Sequence, residues 1–411
     1  METEILNLLK FLPNFEEIKH LTVDEDEADY ILSLASENIK EILEANNKSF
    51  EVDLSTTEIE EVSFLVEELT FQFWEKTHTG KFCDVPLKTR KIYTLSCFYR
   101  IVYSLISSHD QQQLEDCSDY LDQGLLVGYL DDIHEKCYLF RDAIMKFLDE
   151  HIATLNIKLP YIDPIEHIEA PCDIPILECP TVEDFKVNHF IPLNPALLRG
   201  TINDWPALTK WRDMTYILKV AGNRKVPIEI GTNYTSDEWT QQFTKLRDFL
   251  KRHFAERPPD SEQLEVEYLA QHDLFDHVPV LKDDIICPKY CSLGEKSDKV
   301  DIKAWLGPKG TISPMHQDPR HNILCQVFGR KRVILASPDD TKFLYPHETE
   351  FFLNTSQINA EELDFDKFPL SKNVKFYHLT LQEGECLYMP PKWWHYIRSE
   401  SKSFSVNFWF E

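Results

Sequence analysis

The fold is decided by residues 304–338, AWLGPKGTISPMHQDPRHNILCQVFGRKRVILASP, and residues 384–410, GECLYMPPKWWHYIRSESKSFSVNFWF. Both stretches contain short apolar runs separated by glycine and proline turns, which is typical of β-strands. Two sets of alternating residues each share one strand face: Val300, Ile302, Ala304 and Leu306, and then Phe404, Val406, Phe408 and Phe410. Many short strands of this kind predict a β-sandwich or β-barrel.

The N-terminal part of the chain has a different composition. Residues 1–160 contain only 3 of the 11 glycines and 3 of the 23 prolines. Apolar residues recur there every three or four positions, as on a helix face: Ile31, Ala35, Ile39 and Ile42, then Ile59, Val62, Val66, Leu69 and Phe73. We therefore predict an α+β protein with an α-helical domain at 1–160, a linker or lead strand at 161–182 and a second domain at 183–411.

Charge narrows the range of partners. The net charge is −27, and residues 1–160 carry 32 acidic against 14 basic side chains. Binding to nucleic acid requires lysine and arginine to displace counterions, so direct nucleic-acid binding is not expected. An acidic protein favours basic partners, such as segments rich in arginine or lysine.

The cysteines and the hydropathy of the chain indicate the cellular compartment in which the protein is expected. The ten cysteines are scattered, and Cys287 and Cys291 form one pair without a second pair at zinc spacing. We interpret them as reduced thiols and expect an intracellular protein, in the nucleus or the cytoplasm. No apolar run approaches the length of a membrane span, so no membrane association is expected.

The His316-Gln317-Asp318 sequence is the first part of a candidate metal site. Residues i and i+2 of a strand point to the same side, so one imidazole and one carboxylate can reach a common ion. His395, in the aromatic segment near the C-terminus, is the best candidate for the third ligand. Two histidines and one carboxylate leave positions open for a co-substrate and O2, as in non-haem Fe(II) oxygenases. A turn pair and an aromatic-cluster histidine are the alternatives.

A basic residue follows the first motif. Lys331 comes after the strand-like NILCQVFG and is flanked by Arg330 and Arg332. Alternation places one of these three side chains inward, where it could hold the distal carboxylate of 2-oxoglutarate. Three further residues could supply polar contacts to the same ligand: Asn322, Ser313 and Tyr268. A solvated basic turn is the alternative.

The two quoted stretches resemble the JmjC family of cupin-fold oxygenases. Three further stretches extend the resemblance to about residues 175–411: LLRGTINDWPALTKW (197–211), EIGTNYTSDEW (229–239) and YLAQHDLF (268–275). The resemblance implies a cupin-type double-stranded β-helix as a JmjC catalytic domain, with Fe(II), 2-oxoglutarate and O2 as cofactor and co-substrates.

The resemblance also implies roles for individual residues. Metal ligands are implied at His316, Asp318 and His395. The 2-oxoglutarate pocket is implied at Tyr268, Ser313, Asn322, Lys331 and Trp409. The substrate side chain is implied to contact Glu229, Tyr234, Trp239, Gln271 and Trp305. Ser405 stands ten residues after His395, where other oxygenase classes use an arginine for 2-oxoglutarate, and this favours Lys331 as the cation.

The family has been assigned two activities, and the motifs do not separate them. Glu229 and its aromatic neighbours suit a guanidinium, so the first hypothesis is hydroxylation of arginine side chains in proteins. The alternative is N-methyl-lysine demethylation on histones, with a role in chromatin regulation. A catalytically silent peptide-binding module is a third hypothesis, and a peptidase is ranked last because the sequence shows no nucleophile–base pairing.

Overall fold

The computed structural model describes residues 1–47, 57–79, 82–153, 157–231, 234–235, 238–256, 264–295, 300–348 and 352–411. The chain divides into two compact units. One, the helical unit, comprises Met1–Thr154 with Asn223–Lys225; the other, the sheet unit, comprises Leu155–Gly222 and Val226–Glu411. Within the described ranges, no helix has the length and apolarity that crossing a membrane requires.

The helical unit is a bundle with its own core. Its helices are α1 Glu2–Leu9, α2 Phe15–Ile18, α3 Asp26–Asn47, α4 Thr57–His78, α5 Leu87–Ser107, α6 Gln111–Leu126 and α7 Glu135–His151. The periodic residues predicted on α3 and α4 are buried in this core. Helix starts follow from local chemistry: Asp110 accepts a hydrogen bond from the Gln113 backbone at the start of α6, as an N-cap does.

The sheet unit contains thirteen strands in the described residues. They are β1 Ile176–Glu178, β2 Ala196–Arg199, β3 Lys225–Ile230, β4 Thr240–Lys245, β5 Glu267–His272, β6 Asp301–Gly307, β7 Ile312–Gln317, β8 His321–Phe328, β9 Lys331–Ala336, β10 Phe376–Leu381, β11 Cys386–Met389, β12 Trp394–Ser399 and β13 Ser403–Phe410. Six helices lie between the strands: α8 Val182–Phe185, α9 Ala207–Lys210, α10 Met214–Ala221, α11 Leu246–Phe254, α12 Leu274–His277 and α13 Pro279–Lys282.

Strands β6 to β13 alternate between two sheets along the chain, except that the consecutive strands β9 and β10 both lie in the smaller sheet. The larger sheet has the order β1-β2-β11-β8-β13-β6-β5-β3-β4, and the smaller sheet has the order β10-β9-β12-β7. This is the double-stranded β-helix of a cupin, and the predicted α+β fold is confirmed. Every residue of β13 is buried, because apolar side chains on one face enter the core and the other face turns toward the candidate site.

The proline-rich segment at 161–182 packs against the sheet unit. The Ile162 amide donates to the Arg212 carbonyl (2.8 Å). The Ile168 amide donates to the Gln382 side chain (2.9 Å). Strand β1 then pairs in parallel with β2. Proline lacks an amide donor, so side chains and loop carbonyls replace the regular ladder over much of this segment.

Candidate active site

His316, Asp318 and His395 meet at one end of the smaller sheet. His316 on β7 lies directly opposite His395 on β12, and Asp318 follows the last residue of β7. One ligand atom from each residue lies within 4.8 Å of the others. The two imidazole rings are 4.1 Å apart, and His395 Nε2 is 3.6 Å from Asp318 Oδ2.

Backbone carbonyls orient both imidazoles. His316 Nδ1 lies 2.7 Å from the Pro314 carbonyl, and His395 Nδ1 lies 3.0 Å from the Trp393 carbonyl. Each Nδ1 is thus assigned the ring hydrogen, which leaves the Nε2 lone pairs for a metal. Burial, and to a smaller extent the neighbouring His316, lower the pKa of His395 to about 4 against the opposing effect of Asp318. The neutral imidazole is the form that coordinates a metal.

The third residue also suits a metal. Asp318 Oδ2 is buried and accepts no hydrogen bond from any described residue. A buried carboxylate oxygen without a donor is costly unless a ligand completes it. Two imidazole nitrogens and one carboxylate oxygen are the donors that non-haem Fe(II) oxygenases use, so the residues present fit Fe(II).

The predicted metal and co-substrate residues all line one cavity, together with Trp305. Lys331 begins β9, and its side chain donates to the Tyr268 hydroxyl (3.1 Å). It is only 2 % exposed, and it has no carboxylate partner in the part of the chain that the structure describes. Burial lowers the pKa of Lys331 to about 7, so an anionic ligand would favour its protonated form.

Other polar atoms in this cavity are also unsatisfied. Asn322 Oδ1 and Trp409 Nε1 are buried without a hydrogen-bond partner among the described residues. Asn322 on β8 lies opposite Trp409 on β13, so the larger sheet presents both to the cavity. Ser313 faces the same cavity from β7. Carboxylate oxygens of a ligand could accept hydrogen bonds from Trp409 Nε1, Lys331 and the Ser313 hydroxyl, whereas Asn322 Oδ1 is an acceptor and requires a donor.

Two local features explain why Lys331, and not a neighbouring arginine, enters this cavity and why the Tyr268 ring fits beside it. The flanking Arg330 and Arg332 are directed to carboxylates instead, Glu400 (3.3 Å) and Glu361 (3.5 Å). At Gly307, an added Cβ would lie 2.8 Å from the Tyr268 ring, so only glycine allows this approach.

The five predicted substrate residues lie in different settings. Glu229 on β3 pairs with Tyr268 on β5. Burial raises the pKa of Glu229, and the nearby Trp239 indole opposes the rise. Trp239 Nε1 is buried and makes no hydrogen bond of standard geometry with any residue described. The Tyr234 ring stands edge-on to His316 with 6.4 Å between ring centres.

The remaining two substrate residues differ in exposure. Trp305 lines the metal cavity, 5.8 Å from the Tyr268 ring. Gln271 is exposed and has a left-handed φ of 50°. It lies at the irregularity between Leu269 and His272 in the pairing of β5 with β6. Such a bulge re-aims a side chain at the rim of a barrel.

Sequence reasoning missed three residues around the substrate region. Asn407 accepts a hydrogen bond from Trp305 Nε1 (3.0 Å). Its position between Ser405 and Trp409 on the polar face of β13 was a usable signal. Phe352 stacks on Tyr234 with 6.2 Å between ring centres, and Thr355 lowers the pKa of Tyr234 against the effect of burial. No local pattern marked these last two residues.

Phe352 and Thr355 belong to a segment that pairs with the metal-bearing strand. The Gln317 amide donates to the Asn354 carbonyl (2.9 Å), and the Ser356 amide donates to the Met315 carbonyl (2.8 Å). Residues 352–356 therefore extend the open edge of β7 beside His316.

The fold and this constellation define a cupin-type domain with a two-histidine, one-carboxylate centre. Residues 182–411 match the family described as Cupin-like domain. The chain belongs to this family, and within it to the JmjC proteins, as the sequence resemblance predicted. The fold family and the relatives' names support an oxygenase enzyme of the generally Fe(II)- and 2-oxoglutarate-dependent JmjC group.

Three relatives illustrate the similarity. The chain is 47% identical to Jumonji C domain-containing protein 5 of Drosophila melanogaster over 415 residues, which cover all of both chains. It is 37% identical to Lysine-specific demethylase 8 of Danio rerio, over 82% of this chain and 84% of the relative. It is 34% identical to Lysine-specific demethylase JMJ30 of Arabidopsis thaliana, over 82% of this chain and 83% of the relative.

Proposed function

We propose that this chain is an Fe(II)- and 2-oxoglutarate-dependent oxygenase that hydroxylates arginine side chains in basic protein substrates. His316, Asp318 and His395 would hold Fe(II) through two Nε2 atoms and the free Asp318 oxygen. Bound iron, with 2-oxoglutarate and O2, supplies the oxidising power that inserts oxygen into an unactivated C–H bond and releases succinate and CO2.

The chain's own residues would bind and orient 2-oxoglutarate and the substrate side chain. Lys331 would pair with the distal carboxylate of 2-oxoglutarate, and Tyr268, Ser313, Asn322 and Trp409 would complete that pocket. Trp305, whose Nε1 donates to Asn407 Oδ1, lines the same cavity and would contact the substrate side chain. The surrounding buried strands exclude water from the cavity.

The choice of arginine as the substrate residue rests on the setting of Glu229. It is half-buried, and it forms no ion pair with any residue in the described part of the chain. A buried carboxylate without a cation is costly, and a substrate guanidinium would compensate it with a charge-assisted bond. Tyr234 and Trp239 beside it offer flat faces on which a planar guanidinium can stack.

Methyl-lysine demethylation is the second candidate, and it is favoured by the names of the Danio rerio and Arabidopsis thaliana relatives. It would use the same metal and co-substrate residues on an N-methyl group. A trimethylammonium has no N–H to donate to Glu229, so this pocket would bind it through charge and aromatic contact alone.

Mass spectrometry of matched peptides separates the two activities. One peptide carries arginine and the other methyl-lysine at the same position, each incubated with enzyme, Fe(II) and 2-oxoglutarate. We expect the arginine peptide to gain one oxygen atom. Loss of a methyl group from the lysine peptide, without oxygen addition to the arginine peptide, would select the demethylase instead.

Glu229→Gln tests the role of this carboxylate. Loss of a charge-assisted pair should reduce kcat/KM for the arginine peptide by about 10- to 150-fold, or about 1.5–3 kcal/mol. Binding of 2-oxoglutarate should not change. Glu265→Gln, an exposed glutamate just before β5, is the matched control and should behave as wild type. Equal effects from the two substitutions would show that the Glu229 carboxylate does not bind the substrate side chain.

A further inference from the structure

Helix α4 of the helical unit exposes three large aromatic side chains. Phe64 is 60%, Phe71 51% and Trp74 39% exposed. Their spacing of seven and three residues puts them on one side of the helix. The apolar residues that α4 buries lie on the opposite side: Ile59, Val62, Val66, Leu69 and Phe73. The exposed aromatics are therefore not part of the bundle core, and contiguous apolar surface of this kind marks interaction sites.

Part of this surface is ordered. The rings of Phe71 and Trp74 stack with 6.0 Å between centres and 17° between planes. The rings of Trp74 and His78 stack at 4.4 Å and 25°. His78 Nδ1 is also 2.8 Å from the Trp74 carbonyl. We call Phe64, Phe71, Trp74 and His78 the aromatic face of α4. Stacked rings lose little freedom on binding, which lowers the entropic cost of a complex.

The aromatic face is bordered by carboxylates. Four exposed glutamates lie beside this face of α4 and form no ion pair with any described residue: Glu60, Glu61, Glu68 and Glu75. Glu67 differs because it pairs with Arg100 (2.5 Å). At 1.5 Å per residue, the fourteen steps from Phe64 to His78 cover about 21 Å, or about four helical turns.

We infer that the aromatic face of α4 docks an amphipathic helix, rich in lysine and arginine, from another protein. Apolar side chains of that helix would pack on Phe64, Phe71 and Trp74, and its basic side chains would pair with the bordering glutamates. A second copy of this chain is disfavoured, because the same face would bring glutamate against glutamate in a protein of net charge −27. Phosphate-bearing surfaces are disfavoured by the same repulsion.

The test uses the full chain labelled with 5-fluorotryptophan, with the Trp74 resonance assigned by Trp74→Phe. The binding partner is an 18-residue helix of leucine and lysine arranged as an amphipathic sequence. A peptide of the same composition in non-amphipathic order is the control. We expect the first peptide alone to shift the Trp74 resonance to saturation.

Variants then separate the apolar and the charged contributions. Phe71→Ser should weaken peptide binding at least about tenfold, as loss of an interface anchor does. Phe64→Ser provides a second anchor variant if Phe71→Ser unfolds. Glu68→Gln with Glu75→Gln should weaken binding a few-fold and reduce its salt dependence. Tyr30→Ser, an aromatic residue on α3 that is 63% exposed, should bind as wild type.

Four results would overturn the inference. These are absence of a Trp74 shift, equal binding of the two peptides, and unchanged affinity in both anchor variants. The fourth is a chain dimer that Phe71→Ser dissociates, since the occupant would then be a second copy.

Discussion

The two units of this protein differ in how far their buried polar side chains are hydrogen-bonded. In the helical unit, the hydroxyls of Tyr99, Tyr103 and Thr94 donate to the carbonyls of Pro13, Ala35 and Gly124, at 2.9, 3.2 and 2.8 Å. In the sheet unit, side-chain atoms of Asp318, Asn322, Trp239 and Trp409 are buried without a partner among the described residues. Folded proteins satisfy nearly all such groups, and Asp318, Asn322 and Trp409 line one cavity, so these three indicate groups available to a ligand.

Two cations, a half-buried Arg90 and a buried Lys331, show the same difference. Arg90 in the helical unit is bound to two backbone carbonyls, those of Val127 (2.9 Å) and Gly128 (2.7 Å). Lys331 in the sheet unit donates a hydrogen bond only to the Tyr268 hydroxyl among the side chains that the structure describes, and its Nζ lies 5.9 Å from the centre of the Trp305 ring. A cation without an anion destabilises the empty fold, and a ligand that binds the folded state restores that stability.

The largest expected effect comes from removing the carboxylate of the metal site. Asp318→Ala takes away the anionic ligand, so we expect loss of iron binding and of detectable succinate formation. Gln317→Ala is the matched control, because Gln317 lies between the two ligands and strand residues alternate sides. Iron content and succinate yield are the measurements. Near-normal turnover in Asp318→Ala would show that its free oxygen atom is not a metal ligand.

The next effect concerns the co-substrate cation. Lys331→Met keeps the length of the side chain and removes its charge, so KM for 2-oxoglutarate should rise about 10- to 150-fold. Arg332→Met is the control, since Arg332 is directed to Glu361 outside the cavity. Steady-state kinetics with varied 2-oxoglutarate measures both. If Arg332→Met had the larger effect, the phase of β9 in the structure would be wrong.

The low pKa of Lys331 predicts two opposite pH dependences. In the free protein Lys331 loses its proton at about pH 7, whereas an ordinary lysine keeps it until about 10.5. Between these values the unfolded chain binds the extra proton, so the free energy of unfolding should gain a contribution that rises with pH. Binding of 2-oxoglutarate requires the charged form, so affinity should fall by up to about tenfold per pH unit above 7.

Denaturant unfolding and 2-oxoglutarate titration at several pH values test both trends. Lys331→Met is compared with wild type, so that other titrating groups cancel. The Lys331-dependent changes with pH, in the free energy of unfolding and in the affinity for 2-oxoglutarate, should both vanish in the variant. A 2-oxoglutarate affinity that stayed constant from pH 6.5 to 8.5 in wild type would contradict the assignment of Lys331.

Sequence patterns predicted the fold better than they predicted the rim of the site. The alternation in residues 403–410 located β13, and its apolar residues now lie in the core. The opposite face of that strand carries Ser405, Asn407 and Trp409; Asn407 and Trp409 line the cavity, and of these two the family resemblance had implied only Trp409. In the helices, the periodic residues of α3 and α4 identified the bundle core in the same way.

The residues around the substrate region could not be predicted in this way, because their positions depend on contacts between distant parts of the chain. Phe352 and Thr355 reach Tyr234 only because their segment pairs with β7, about forty residues earlier. Gln271 owes its orientation to a bulge that appears only when β5 pairs with β6. Neither arrangement follows from local propensity, since pairing across such separations is fixed by tertiary packing.

The smallest expected effect tests whether the 352–356 segment helps to position the substrate or only supports the neighbouring strand β7. Phe352 holds the Tyr234 ring in a near-parallel stack, with 16° between the planes. An aromatic pair contributes about 0.5–1.5 kcal/mol, so Phe352→Ala should raise KM for the arginine peptide about two- to tenfold. The value of kcat and the affinity for 2-oxoglutarate should change little, because Phe352 does not line the metal cavity. Leu353→Ala is the matched control, since the neighbouring side chain is 56% exposed. A loss confined to KM in Phe352→Ala would assign the stacked pair to substrate positioning. Equal losses in both variants, or a fall in kcat alone, would show that the segment supports β7 and His316 instead.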